Sequence, residues 1–374
     1  MTEPDGRPAG FAELHDELRT VARDLLTTAE PPWSLLAASG WTGLEVPEDL
    51  EGAGATFAET AVILREMGRA ATRSPYLGAA ILGAGTLLAL QPGAARDDLL
   101  RRTAAGRTVP VAVLADGSAA TIPLPATGRR APFWLERTAG GLRLNGRAAF
   151  APDAAQASHL LLLAASADDP APVICCLAAE AAGLAAEPQP VVDETRRLAI
   201  VTADRVPVPE TSAWRFAGDP GAGATRLLDR AAVAIACDSL GLMDAMLDRT
   251  VAYAKVRHQF GRPIGSFQAV QHACADMLVQ VNACRELTEA AVAALAAGAP
   301  DAWVAASMAK AHVTAAAVQV AGKAMQLHGG IGYTWESGIH AYLKRATLNR
   351  ALFGRPAAHR RRLAARYPAR YTSE

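Results

Sequence analysis

Three groups of residues in this sequence have types and spacings suited to chemistry. Arg257 stands at the end of a long, mostly apolar stretch and carries a guanidinium, a group that grips phosphate oxygens in a bidentate manner. The pair Gly329-Gly330 has no side chains to keep a ligand away from main-chain N–H groups. Asp238 is the only charge in the apolar run 231–243. An ionised carboxylate on a buried helix face is costly unless it is paired or functional. Asp238 is therefore either a working base or an Asp satisfied by an Arg or a neighbouring helix. A further basic run, Arg355, Arg360, Arg361, Arg362 and Arg366, reads as a phosphate contact or as a solvated helix end.

These residues need elements to position them, and the texture of the chain changes twice. The first zone, 1–107, reads as helical, with helix spacing over 11–26 (Leu14, Leu18, Val21, Leu25) and again over 57–71 and 79–90. Zone 108–213 shortens its period. The stretch 142–147 alternates and contains Asn145-Gly146, a hairpin-type turn, and 159–164, 173–177 and 197–206 are strand candidates. That pattern predicts an antiparallel β domain. Zone 214–374 returns to long helices at 224–256, 266–296 and 302–327, separated by Gly261-Arg262-Pro263 and Gly298-Ala299-Pro300. Long helices joined by short turns make a four-helix-type bundle. The predicted fold is α+β in the order helical domain, β domain, helical bundle.

The bulk properties exclude several classes. Lys+Arg and Asp+Glu number 37 each in 374 residues, so there is no long-range field to gather nucleic acid or an anionic membrane. No apolar stretch is long enough for a membrane span, and residues 1–10 do not read as a signal peptide. The cysteines (Cys175, Cys176, Cys237, Cys274, Cys284) lack metal-ligand spacing and read as small buried residues in a reducing, cytoplasmic compartment.

Three strips carry a family resemblance. Arg257-His258-Gln259-Phe260-Gly261-Arg262-Pro263-Ile264-Gly265-Ser266-Phe267-Gln268, followed by Ala275-Asp276-Met277, closely resembles the R-x-Q-F-G-x-P-I-x-x-F-Q…A-D-M signature of acyl-CoA dehydrogenases. Gln326-Leu327-His328-Gly329-Gly330-Ile331-Gly332-Tyr333 resembles their Q-x-x-G-G-x-G-Y strip, and Gly40-Trp41 through Val46-Pro47-Glu48 and Gly52-Ala53-Gly54 their N-terminal strip. Thr334-Trp335-Glu336 and Asp193-Glu194-Thr195-Arg196-Arg197 resemble the actinobacterial branch that includes steroid side-chain degradation, some of whose members are heterotetramers of unlike subunits. The resemblance implies FAD as cofactor and an acyl-CoA thioester as substrate. It also implies an electron-transfer flavoprotein as acceptor and assembly with itself or a paralogous subunit. Arg257, Gln259, Phe260, Gln326, Gly329 and Gly330 would then meet the pyrophosphate, ribose and adenine of a neighbouring subunit's FAD.

The sequence departs from that pattern where the reaction occurs. Family members place the catalytic Glu before a Gly beyond the G-Y strip; the matching residue here is Phe353, before Gly354. Others carry the base on the long helix, at a position matching Ala231. Asp238, two turns along the same helix face, is the remaining catalytic candidate. The flavin-contacting strips are poor in hydroxyls: 113–120 retains Ser118, and 150–154 reads Phe-Ala-Pro-Asp-Ala. Three readings follow. The chain is a catalytic subunit with Asp238 as base, a non-catalytic partner completing an unlike subunit's FAD site, or a relative with oxidase or hydroxylase chemistry. The small residues Ala231, Ala232, Ala234 and Gly241 suit either a wide substrate or tight helix packing.

Overall fold

A computed structural model of the chain describes residues 11–117, 131–166 and 171–366. Residues 1–10, the basis of the signal-peptide reading, and Ser118 lie outside the described residues.

The first region is helical: α1 (Phe11–Leu25), α2 (Trp33–Ala38), α3 (Phe57–Ala70), α4 (Ala84–Leu88) and α5 (Ala94–Ala104). A capping box starts α3. Thr56 Oγ1 accepts from the Ala58 N–H at 3.1 Å, and Glu59 reaches back to the Thr56 N–H at 2.8 Å. The stripe on α1 is rotated from the one its leucines suggest. Leu14 and Val21 are exposed, whereas His15 and Ala22 are buried, because His15 bonds Glu59 on α3 at 2.9 Å. The helix expected over 79–90 divides into a π-helical segment, Leu77–Gly83, and α4. Its glycines let it press against the β region: a Cβ on Gly83 would lie 1.9 Å from the Pro110 carbonyl oxygen.

The middle region holds β1 (Pro110–Val113), β2 (Phe133–Thr138), β3 (Gly141–Pro152), β4 (His159–Ser166), β5 (Val173–Ala178), β6 (Leu184–Gln189), β7 (Leu198–Val208) and β8 (Ala213–Arg215). The path β6-β7-β3-β2-β4-β5-β8 is mostly antiparallel, but β1 and β2 both run parallel to β4 and share one of its edges end to end. The Asn145-Gly146 pair is not the hairpin turn. The turn lies at Ala139-Gly140, between the paired Thr138 and Gly141, while Asn145-Gly146 forms an irregularity inside β3. There Asn145 Oδ1 accepts the Arg205 N–H at 2.9 Å, and a Cβ on Gly146 would lie 2.5 Å from the Pro132 oxygen. Gly146 serves close approach, not a turn.

The last region contains α6 (Pro220–Val256), a small ribbon of β9 (His258–Gln259) and β10 (Arg262–Pro263), then α7 (Gln268–Ala296), α8 (Ala302–His328), α9 (Ile339–Ala351) and α10 (Pro356–Ala364). Pro220 at the first helical position and Asp219, accepting the Ala222 N–H at 2.6 Å, start the 37-residue α6. This helix is buried through most of its middle, which explains why its apolar run lacks a polar face. Where α3 crosses it the backbones touch. A Cβ on Gly241 would lie 1.7 Å from the Arg65 oxygen, and one on Gly68 would lie 2.0 Å from the Asp238 oxygen. Gly241 therefore serves helix packing and opens no room for a wide substrate; Ala231, Ala232 and Ala234 are likewise fully buried. Among the described residues no helix is long and apolar enough to cross a membrane.

Candidate functional site

The segments expected to hold a flavin ring and a base do converge. Residues 112–117 after β1, Phe150–Pro152 at the end of β3 and Leu352–Gly354 between α9 and α10 surround one cavity. Its volume is about 20 Å³, room for roughly one water molecule. Ligand pockets typically need about 300 Å³ or more. Phe353 and Phe150 line it, both with left-handed backbone (φ +53° and +55°), a costly conformation for an aromatic residue. The Asp116 carboxylate accepts the Ala149 N–H at 3.0 Å and draws the two segments together. As formed by the described residues, the cavity is too small for the isoalloxazine half of FAD.

Two buried side chains hold the Phe353 turn in place. Lys310, on α8, donates to the Gly354 carbonyl at 2.8 Å and to the Arg350 carbonyl at 3.5 Å. Burial pushes the Lys310 amine down to about 7. His359, on α10, bonds the Phe353 carbonyl through Nε2 at 3.0 Å, so its ring donates there. Burial, then the neighbouring Lys310, pushes His359 down to about 3. Sequence reading missed both residues. Lys310 is the one Asp, Glu, Lys or Arg in the stretch 302–321, and a lone charge there was the available signal.

Asp238 faces no cavity. Arg345 grips it with Nη2 at 2.5 Å and Nε at 3.0 Å, Arg196 approaches at 3.0 Å, and Asn349 donates at 2.6 Å. Arg345 also donates to the Thr72 carbonyl (3.0 Å) and to Thr195 Oγ1 (2.9 Å). The cluster thus ties α6, α9, the end of α3 and the β6–β7 loop to one carboxylate. Burial opposes ionisation, but the guanidiniums of Arg345 and Arg196 outweigh it and hold the carboxyl well below the usual range. A base needs a free lone pair facing a substrate carbon and affinity for the proton. Of the two readings of Asp238, the Arg-satisfied one matches this geometry. Its partners had a signal in sequence. Tyr342, Arg345, Ala346 and Asn349 recur at helical spacing and form the buried face of α9.

The remaining candidates gather at one outward-facing end of the bundle. Tyr253 near the end of α6 stacks on His328 at the end of α8, with centroids 4.5 Å apart, so the two strips are neighbours. Arg257, Gln259, Phe260, Gln326, Gly329 and Gly330 are all exposed, Phe260 by 91%. No hydrogen bond or ion pair among the described residues engages the Arg257 guanidinium. Gly329 has φ +60° and ψ −143°, a region open essentially to Gly alone. A Cβ on Gly330 would meet nothing of this chain within 4 Å, so the room left there faces outward. Ile331, Tyr333, Trp335 and Val256 add exposed apolar surface beside the strips. A guanidinium, open main chain and an exposed aromatic ring suit the pyrophosphate–adenosine half of FAD, provided a second subunit brings the rest.

The C-terminal arginines do not act together. Arg362 is partly buried, holds Asp229 through both nitrogens (Nη2–Oδ2 3.0 Å) and lies over the Trp303 ring at 5.0 Å. It belongs to the wall of a 940 Å³ chamber between the sheet, the start of α6 and the α7–α8 turn. Arg355, Arg360 and Arg366 are exposed.

The family model described as acyl-CoA dehydrogenase, N-terminal domain, matches residues 11–107, and that described as acyl-CoA dehydrogenase, C-terminal domain, matches residues 222–367. Acyl-CoA dehydrogenase IpdE2 of Mycobacterium tuberculosis is 33% identical over 89% of this chain and 86% of its own length. IpdE2 of Mycolicibacterium smegmatis is 32% identical over the same shares. Among solved structures, the steroid ACAD Tcur3481–Tcur3483 is similar at 29% identity and TM-score 0.81, covering 95% of this chain and 97% of that one. A chain of the ChsE4–ChsE5 complex of Mycobacterium tuberculosis shares the fold at 22% identity and TM-score 0.81, over 98% of this chain and 99% of that one.

Proposed function

Because this chain belongs to the acyl-CoA dehydrogenase family, we propose that it is the non-catalytic subunit of a heteromeric acyl-CoA dehydrogenase. In this reading it completes the FAD site of an unlike, paralogous subunit, and the complex oxidises a bulky, steroid-type acyl-CoA at the α,β carbons. The observation that carries it is the 20 Å³ cavity closed by Phe150 and Phe353 where a flavin ring and a base would have to sit. FAD held at this face would supply the hydride acceptor, with an electron-transfer flavoprotein as the onward acceptor. This chain's own contribution is positional. Arg257 neutralises pyrophosphate charge, Phe260 packs on the adenine, Gln326 bonds ribose or phosphate, Gln259 lines the same face, and Gly329-Gly330 offers main-chain donors. No residue of this chain takes the α proton. The bulky substrate rests on likeness to the steroid ACAD Tcur3481–Tcur3483, and the unlike partner on likeness to that protein and to the ChsE4–ChsE5 complex.

The test is the visible spectrum of the chain, purified alone and co-purified with an unlike paralogue. The expected result is a colourless chain alone and a flavin band near ~450 nm in the complex. A yellow chain alone whose band bleaches on adding acyl-CoA would reject the proposal and return the base to this subunit.

A further inference from the structure

A second cavity, of about 310 Å³, opens among α1, α3, α6 and α7. It shares no lining residue with the closed flavin position. Its walls are apolar: Ala61 and Val62 from α3, Cys237 and Leu240 from α6, Val292 and Ala296 from α7. Ala61, Val62, Cys237 and Leu240 are buried, so the cavity reaches into the packed layer between helices. Folded interiors leave few voids larger than a water molecule. An apolar-walled recess of this size, open at its rim, offers room for an apolar group.

The rim is polar. Arg19 and His15 of α1, Arg65 of α3 and Glu289 of α7 border the opening. Arg65 is committed to Asp244 through Nε and Nη2, and His15 to Glu59. Arg19 differs, because it contacts Asp16 through Nη1 and its side chain keeps about a third of its surface open. A guanidinium has five N–H donors in a planar fork, and one contact leaves the other edge for a second carboxylate. Glu289, exposed at the opposite side, disfavours a second negative group, which restricts the ligand to one anionic end.

From this geometry we infer that the chain carries a binding site for a small amphiphilic carboxylate, its hydrocarbon part between α3, α6 and α7 and its carboxylate on Arg19. The volume stands at the lower end of small-molecule sites, which fits a medium-length alkyl chain and not a fused-ring acyl group. Occupancy would brace α1 against α7, two helices joined chiefly through α3 and α6.

Titration of the full-length chain with octanoate and with 1-octanol, read by calorimetry and by displacement of a fluorescent fatty-acid probe, tests the site. Saturable binding of both is expected, with octanoate the tighter. Arg19→Ala should weaken octanoate about 10-fold and leave 1-octanol unchanged, the size expected for one charge-assisted hydrogen bond. Ala293→Leu, which adds volume at the partly open wall, should weaken both while the thermal transition stays in place. Absence of saturable binding in the unmodified chain overturns the inference. So does octanoate binding that neither substitution changes, because that would be adsorption elsewhere. If Ala293→Leu fails to fold, the octanoate-to-octanol ratio in Arg19→Ala still decides the matter.

Discussion

Two charged residues on or beside α6 meet opposite fates. Asp238, in the middle of the helix, is surrounded by Arg345, Arg196 and Asn349 and directs nothing outward. Arg257, where the helix ends, is engaged by no other side chain among the described residues and stands beside an exposed ring and two open glycines. The contrast extends to the regions around them. The part of the fold where a subunit would carry out its own reaction is closed by Phe353, whose turn Lys310 and His359 hold through backbone carbonyls. The part where one subunit would serve another is open and unsatisfied. The closed side therefore differs from the open one in more than a single side chain, because Lys310 and His359 both bond the backbone around Phe353.

The comparison breaks or sharpens under four substitutions. Asp238→Ala leaves two buried guanidiniums without their carboxylate and should destabilise the chain by about 3–5 kcal/mol, seen as a large fall in the thermal midpoint. A catalytic Asp238 would instead lose turnover with the midpoint unchanged. The next effect depends on pH. Burial pushes the Asp153 carboxyl up to about 6, against opposing help from the Gly78 N–H at 2.9 Å. A raised carboxyl favours the protonated form in the fold. Its stabilisation is complete below the unfolded value near ~3.9 and is lost as pH rises through about 6. Unfolding by urea from pH 4 to 7 should show up to about 3 kcal/mol from this residue, and Asp153→Asn should flatten that slope.

On the open side, Arg257→Ala should weaken FAD in the two-subunit complex by about 10- to 100-fold, while leaving the melting of this chain unchanged. Equilibrium dialysis against FAD reads the first and calorimetry the second; a fall in both would place Arg257 in the closed, internal class. The smallest effect belongs to Phe353→Glu. Restoring a carboxylate to a cavity of about 20 Å³ supplies no room for a ring. Flavin per complex and turnover should stay unchanged, since a group with no substrate in reach contributes no catalysis. A doubled flavin content would show that the closure depends on the one side chain.

The order of helices, strands and bundle was legible because long helices and short strands differ in period. The bounds expected for α6, α7 and α8 agree with the structure within a few residues. The interior was less legible where one residue type serves two purposes. Asn145-Gly146 has the composition of a turn, yet Gly146 is there to admit the Pro132 carbonyl. Leu14 and Val21 have the spacing of a buried stripe, yet the His15–Glu59 bond turns α1 away from it. Asp238 was visible as an anomaly, but its meaning depended on Arg196 and Arg345, which are 42 and 107 residues away and meet it only in the fold. The parallel pairing of β1 and β2 with β4 had no local signal, since each strand's own pattern is the same in either direction.

The crossing of α3 and α6 has a consequence for heredity. Gly68 and Gly241 each stand against the other helix's main chain, and a single methyl on either would need the helices to part. The flanking pairs Arg65–Asp244 and Arg69–Asp248 are set to the same separation. Neither glycine can drift first and wait for the other to compensate, so this crossing should be inherited as one character, lost all at once or kept.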